Sequence, residues 1–514
     1  MKKYIFAAVA ALGMTTACTD NFEDINKAPH QISEESFQAD YLFLKAFFPQ
    51  MQQSIYYNFG NGYGYQLQQN LNADIYSGYM TPPTPFIGNK NNATYALVDG
   101  WNSWAFNKSL DNILAPAKSV SKHMDLAPEF YGVSLILKVA GMHRVTDMYG
   151  PIPYTKYGEV NEGGGLPYDS QEAVYDMFFE ELDMAISLLK DKPAIANFSE
   201  VDQMFKGDFN MWAKFAASLK LRLAMRISEV APAKAKTLAE AAISAGVLEG
   251  GDLAQVSADG LKHPMALIKS WKDALMGAPM ESILKGFNDP RLAIYFDPSD
   301  QDGEYRGIRQ GIEIETKDTY SDFSGINDNV IGVNKPLLLM TAAEVYFLRA
   351  EAALNGWSAG ASAKELYEMG VQASFDQHGA GDASTYLADA TSMPADYVDP
   401  ENAANDIAAQ SDITIAWDAA ASAMVNKERI LTQKWIAMFP EGQEAWSEYR
   451  RTGYPKLFPV EVNYSNGTID SEEGIKRIPY PSAQYQTNAA AVEAAVQMLG
   501  GADHGGTNLW WDVD

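Results

Sequence analysis

The chain has a single cysteine, Cys18, among its 514 residues, so no disulfide can form within it. A packed core must hold the fold instead. Basic residues are scarce as well: 39 Lys and Arg stand against 66 Asp and Glu, a formal net charge of −27. Such a surface repels phosphate backbones and argues against a nucleic-acid partner. Six histidines are scattered without ligand spacing. The sequence contains no HExxH, no Walker loop and no GxSxG, and with one cysteine a thiol enzyme is a poor fit. Beyond the N-terminus no uncharged apolar run approaches the roughly 20 residues of a membrane-spanning helix. Strand-like alternation is rare.

What is present is apolar and aromatic. Hydrophobic residues make up 47% of the chain, and it carries 27 Tyr and 10 Trp. Length alone is consistent with about three domains. Tyrosine presents a flat face and a polar tip, which suits wet, polar ligands such as sugars.

The N-terminus reads as a targeting segment. Lys2 and Lys3 precede the apolar run Tyr4 to Met14, and small residues precede Cys18. The cysteine has three readings: a buried thiol, a nucleophile or a lipid acceptor. Position 18 precedes every core segment, and a nucleophile needs a base and a formed site. The segment resembles a bacterial lipoprotein signal, which implies a signal peptide over 1–17 and lipid attachment at Cys18. Residues 18–36 then form a polar tether whose Asp20, Glu23 and Asp24 resemble surface-export signals, or else a solvated linker.

Helical spacing of apolar residues predicts helices over Phe37–Tyr57, Trp101–Val120, Phe130–Asp147, Ser170–Leu189, Asn210–Val230, Pro232–Ala245, Thr341–Asn355 and Ser362–Phe375, with Asn426–Phe439 as the last long one. Two stretches break the pattern. Residues 57–100 are rich in Gly, Pro, Asn and aromatics and read as loops. Residues 246–335 read as irregular structure with short strands at "RLAIYF" and "GIEIE". The stretch "AEVYFLRAEAALNGWSAGASAKELYEMGVQASF" has the length and shape of a tetratricopeptide unit, two antiparallel helices with small residues where they cross. The fold class is mostly α: a tetratricopeptide-like scaffold of helical pairs with large irregular insertions and few short strands.

The acidic run "DPSDQDGE", Asp297 to Glu304, is the best metal candidate, but Pro298 and Arg309 occupy required ligand positions of the EF-hand register, and a solvated turn is the reading preferred. No metal and no cofactor are expected. A helical-barrel carbohydrate enzyme needs two facing carboxylates, and 66 acidic residues make such pairs uninformative.

Several stretches together resemble the SusD/RagB family of outer-membrane lipoproteins of Bacteroidetes, nearer its divergent SusD-like branch. They are "FEDINKAPH", "RVTDMYGPIPYTK", "TAAEVYFLRAEAAL", "ILTQKWIAMFPEGQEAWSEYRRTGYPKL", "RIPYPSAQYQTN" and "NLWWD", in the family's order from residue 22 to 512. The resemblance implies one α domain over 37–514 on a lipidated tether. It implies capture of oligosaccharide or polysaccharide at the cell surface, without catalysis, and delivery to a TonB-dependent transporter barrel. Capture of peptide or another nutrient by the same architecture is the alternative.

The signature segments themselves read as structural. Asp147 is expected to cap or pair near Arg144, and Trp435, Trp446 and Tyr449 to lie in the core. Ligand-binding candidates therefore come from the two irregular regions: Asp74, Tyr76, Tyr79, Phe86, Asn89 and Tyr95 in the first, and Tyr305, Arg306, Tyr320 and Phe323 in the second. Aromatic faces stack on sugar rings, and the polar groups beside them meet the hydroxyls.

Overall fold

In the computed structural model, residues 41–56, 62–159, 165–195 and 197–513 are described. The leader, Cys18 and the tether lie outside them. The chain divides into two units, Met1–Ala46 and Phe47–Asp514. The described part of the first is the single turn Leu42–Lys45.

The second unit is built on paired helices. α1 (Pro128–Tyr149) packs on α2 (Gln171–Leu189), α2 on α3 (Phe209–Arg226), and α3 on α4 (Pro232–Ala245). Further along, α5 (Ala342–Leu354) pairs with α6 (Ala363–His378), and both meet α7 (Ala423–Ala437). Local sequence explains these elements. Ser170 accepts from the Ala173 N–H to open α2, whose stripe Val174, Phe178, Leu182 and Leu189 is buried. Ser362 and Glu365 form a reciprocal capping box on α6, and Gly379 closes it in the left-handed conformation. This is the tetratricopeptide-like scaffold expected.

Several expectations are corrected. Asn426–Phe439 is not the last long helix: α8 (Gly442–Thr452) follows, and then Ala489–Leu499. Pro440 separates α7 from α8, and the Glu441 carboxylate caps α8 by accepting from Gln443 and Glu444. Trp101–Val120 is not one helix but a series broken by a π turn at Leu110–Leu114. Pro116 has no N–H to extend the regular ladder there. Within 57–100, Gly62–Tyr65, Gln66–Asn70 and Ala73–Tyr76 are helical turns rather than loops. "RLAIYF" forms the turn Leu292–Tyr295, not a strand. "GIEIE" is extended without a ladder; the Asn89 side chain takes up both the Ile314 N–H and C=O.

Strands are short. β1 (Met80–Thr81) pairs antiparallel with β3 (Leu275–Met276), and β2 (Leu253–Val256) with β4 (Leu337–Thr341). The signature segments meet in the core through buried charges. Arg144 pairs with Glu441 at 2.8 Å, Arg222 with Glu344 at 2.7 Å, and Arg451 with Glu351 at 2.8 Å. Asp147 does not pair with Arg144. It accepts from Tyr175 (2.6 Å) and the Trp511 indole (2.9 Å), and lies 3.7 Å from Arg226. Trp435 and Trp446 are buried, each donating its indole N–H to a backbone carbonyl.

Candidate functional site

The β1–β3 pairing joins the two irregular regions. Its register, Met80 to Met276 and Thr81 to Leu275, sets the loop after β1 beside the segment that enters β3. That loop, "PPTPFIGNKN", holds three prolines, at 82, 83 and 85. They remove backbone donors, so side chains must fix the loop. Thr84 donates to the Asp273 carboxylate at 2.5 Å, and the Asn89 amide bridges to Ile314 at 3.0 and 3.2 Å. Lys317 donates to both the Asp273 carboxylate (2.7 Å) and the Trp271 carbonyl (2.6 Å). One polar knot, Thr84–Asp273–Lys317, thus ties three chain segments together.

Around this knot lie rings that the core does not claim. Trp271 is 36% exposed and Tyr63 57%. Phe86 is half-buried and meets Trp101 edge to face, with centroids 5.5 Å apart. Tyr63 meets Trp104 the same way at 6.0 Å. Edge contacts of this kind orient a ring while leaving a face open. Leu267, on the helix that delivers Trp271, and Ile87, at the loop tip, are exposed too. Beside the loop runs a cleft of about 520 Å³, lined by Ile87, Lys90, Tyr95, Tyr464, Asn466 and His504 among others. Exposed ring faces around hydrogen-bonding groups suit a ligand with flat apolar faces and a polar rim.

The residues singled out from the sequence fall into three groups. Phe86 and Asn89 belong to this loop, Phe86 as a half-open ring and Asn89 as its tie. Asp74, Tyr76, Tyr79 and Tyr95 are buried. The Tyr79 hydroxyl donates to the Trp435 carbonyl at 2.5 Å, and Tyr76 packs against Trp446 at 5.1 Å. Asp74 accepts from Gln69 (3.1 Å) and Asn70 (3.4 Å). Burial pushes its carboxyl up to about 7, against the lowering effects of those bonds and of Arg144. Tyr95 forms an inner wall of the cleft.

In the second region, Tyr320 and Phe323 are core residues, packed edge to face at 5.1 Å in a cluster with Leu275, Ile308, Ile312 and Ile314. The Tyr320 hydroxyl donates to Asp399 at 2.8 Å. Tyr305 and Arg306 are half-buried, and Arg306 pairs with Asp302 at 2.9 Å. That pairing engages the acidic turn considered for a metal. Among the described residues no cluster of three or more His, Cys, Asp or Glu side chains is placed to hold a metal ion.

Sequence reasoning missed Trp271, Asp273, Lys317, Thr84 and Trp101. One signal was available in "KSWKDAL": a tryptophan set between lysines and an aspartate.

Residues 24–512 match the family model described as "SusD-like: Susd and RagB outer membrane lipoprotein". Among solved structures, a chitin-binding SusD homolog from Flavobacterium johnsoniae is 47% identical, with 92% of this chain and 99% of that chain covered and a TM-score of 0.89. A SusD homolog from Bacteroides vulgatus is 40% identical, with 92% and 98% covered and a TM-score of 0.86. A SusD-like protein from Bacteroides thetaiotaomicron is 34% identical, with 92% and 99% covered and a TM-score of 0.87. No curated protein matches. With nearly its whole length matched, the chain belongs to the SusD/RagB family of outer-membrane lipoproteins.

Proposed function

We propose that this protein is a cell-surface lipoprotein, anchored through Cys18, that captures oligosaccharide and passes it unconverted to a TonB-dependent transporter. The observation that carries the reading is the exposed ring of Trp271, with the half-buried rings of Phe86 and Trp101, around the Thr84–Asp273–Lys317 knot. A pyranose has weakly polar C–H faces and a rim of hydroxyls. Rings take the faces, and Asp273 and Lys317 take the rim. The chitin-binding description of the Flavobacterium johnsoniae relative makes β-linked glycans the first class to test.

The test is native-gel retardation by a polysaccharide panel, followed by calorimetry with the glycan that retards most. Trp271→Ala should weaken binding about tenfold, roughly 1.4 kcal/mol. Because the ring is exposed, stability should change by no more than about 0.5 kcal/mol. Retardation by no polysaccharide, or release of product from one, overturns the reading. Co-purification with a large β-barrel tests the delivery step, and retention of labelled palmitate by the parent but not by Cys18→Ala tests the anchor.

A further inference from the structure

A second cavity lies on the helical scaffold and shares no residue with the loop surface or with the cleft beside Ile87. It opens between the helix Ala115–Ser121, α1, α2 and the turn that follows Tyr154. Its volume is about 330 Å³, at the small end of the roughly 300–1,000 Å³ that small-molecule sites span. That suits one substituted ring rather than a chain of them.

An ion pair stands in its wall. Lys138 of α1 donates to Glu181 of α2 at 2.7 Å, and the Tyr154 hydroxyl donates to the other Glu181 oxygen at 2.5 Å. The Lys138 ammonium also sits 4.0 Å from the centre of the Tyr154 ring. The two charged side chains keep 17% and 11% of their surface exposed, so a ligand in the cavity can reach them. Neither is saturated. An ammonium has three donors and a carboxylate about four acceptor positions. Lys138 spends one donor on Glu181, and Glu181 accepts two bonds. Tyr131 of α1, half-buried in the same wall, adds a hydroxyl that bonds to no group among the described residues. It lies close to the pair: burial raises its pKa first, and the Glu181 charge raises it further.

The chemistry of the walls narrows the occupant. The charged residues are Lys118, Lys138, Glu159 and Glu181, two of each sign, in a chain whose formal net charge is −27. The cavity therefore favours neither an anion nor a cation. Leu114, Ala117, Leu135 and the Tyr157 ring supply apolar contact. An alcohol donates and accepts at once, and two adjacent alcohols on a ring meet the ammonium and the carboxylate together. A ligand carboxylate would face Glu181, and a ligand amine would face Lys138.

We propose that this cavity is a second ligand site, for one neutral ring bearing adjacent hydroxyls, a single hexose or a cyclitol. A brace between α1 and α2 needs the Lys138–Glu181 pair but neither the volume beside it nor the open Tyr131 hydroxyl. The site does not depend on what the loop surface captures.

The test is saturation-transfer NMR with glucose, galactose, mannose and myo-inositol. It uses the Trp271→Ala variant, so that the loop surface contributes little. At least one of the four should bind. Tyr131→Phe, added to that background, deletes only the open hydroxyl. It should leave the denaturation midpoint unchanged and weaken that ligand about fivefold, the scale of one hydrogen bond. Lys138→Met together with Glu181→Gln removes both charges at nearly constant volume and should abolish binding. If that double variant fails to fold, Tyr131→Phe still decides. Binding of none of the four overturns the inference, and so does binding that Tyr131→Phe leaves unchanged. Polysaccharide retardation is read separately on the parent, so either result leaves the capture reading standing.

Discussion

At the scale of single residues, chemistry follows exposure more than type. Tyr79 and Tyr320 have the amphipathic character that suits a sugar, but both hydroxyls are spent inside the protein. Trp271 is free to act because Lys317 holds its backbone while the ring stays outside. Asp74 shows the same dependence on place. Its carboxyl is raised to about 7 by burial, whereas in the unfolded chain it titrates near the ordinary value of about 4. Between those values the folded protein holds a proton that the unfolded chain has released. Stability therefore falls as pH rises from about 4 to about 7, and levels off above. Asp74→Asn keeps the size and removes the charge. Denaturant titrations from pH 4 to 8 should show the variant gaining on the parent across that window by on the order of a few kcal/mol. A pH-independent difference would refute the assignment.

At the scale of elements, helices were legible where one face is apolar and the ends carry caps. The α2 stripe with its Ser170 cap formed as read, and the structure adds a local signal of the same kind in the α6 box of Ser362 and Glu365. The first insertion was misread because its composition is turn-like, although "QLQQN" contains helix formers that tertiary burial brings into play. Small residues at helix crossings were also legible. A Cβ on Gly370 of α6 would stand 2.8–3.0 Å from the Phe347 ring of α5. Gly370→Ala gains up to about 1 kcal/mol of helix propensity but overpacks a buried ring at a cost of about 1–3 kcal/mol. The net effect expected in chemical denaturation is a loss of stability. Adding Phe347→Leu should restore part of it, and purely additive losses would show that the crossing is not the cause.

At the scale of the whole molecule, the signature segments meet in a buried ion network. Glu448 of α8 sits 2.9 Å from Arg451, 2.8 Å from Lys434 of α7 and 3.1 Å from Arg226 of α3. Burial alone would raise its pKa, but the charges of Arg451, Lys434 and Arg226 outweigh it and hold the carboxyl well below the usual range. The sign is opposite to that of Asp74. This contribution is present above about pH 4.5 and is lost as acid protonates the group. Glu448→Gln leaves buried cations uncompensated and should cost about 3–5 kcal/mol at neutral pH. The variant's deficit should shrink in acid, as read by denaturation at pH 7 and pH 4. A deficit that stays constant with pH would place the cause in packing rather than charge.

The sequence by itself determined the family and the helical scaffold. Helical period, caps and the order of the signature segments are encoded locally, and a local signal survives without knowledge of the fold. It also pointed to the two insertions as the place for a binding surface, through the density of their aromatics. Only the tertiary structure decided which of those aromatics stay open. The β1–β3 pairing and the Thr84–Asp273 bond of the knot each join residues 189 or more positions apart. Exposure and hydrogen-bond satisfaction are properties of such meetings, and no stretch of sequence carries them alone.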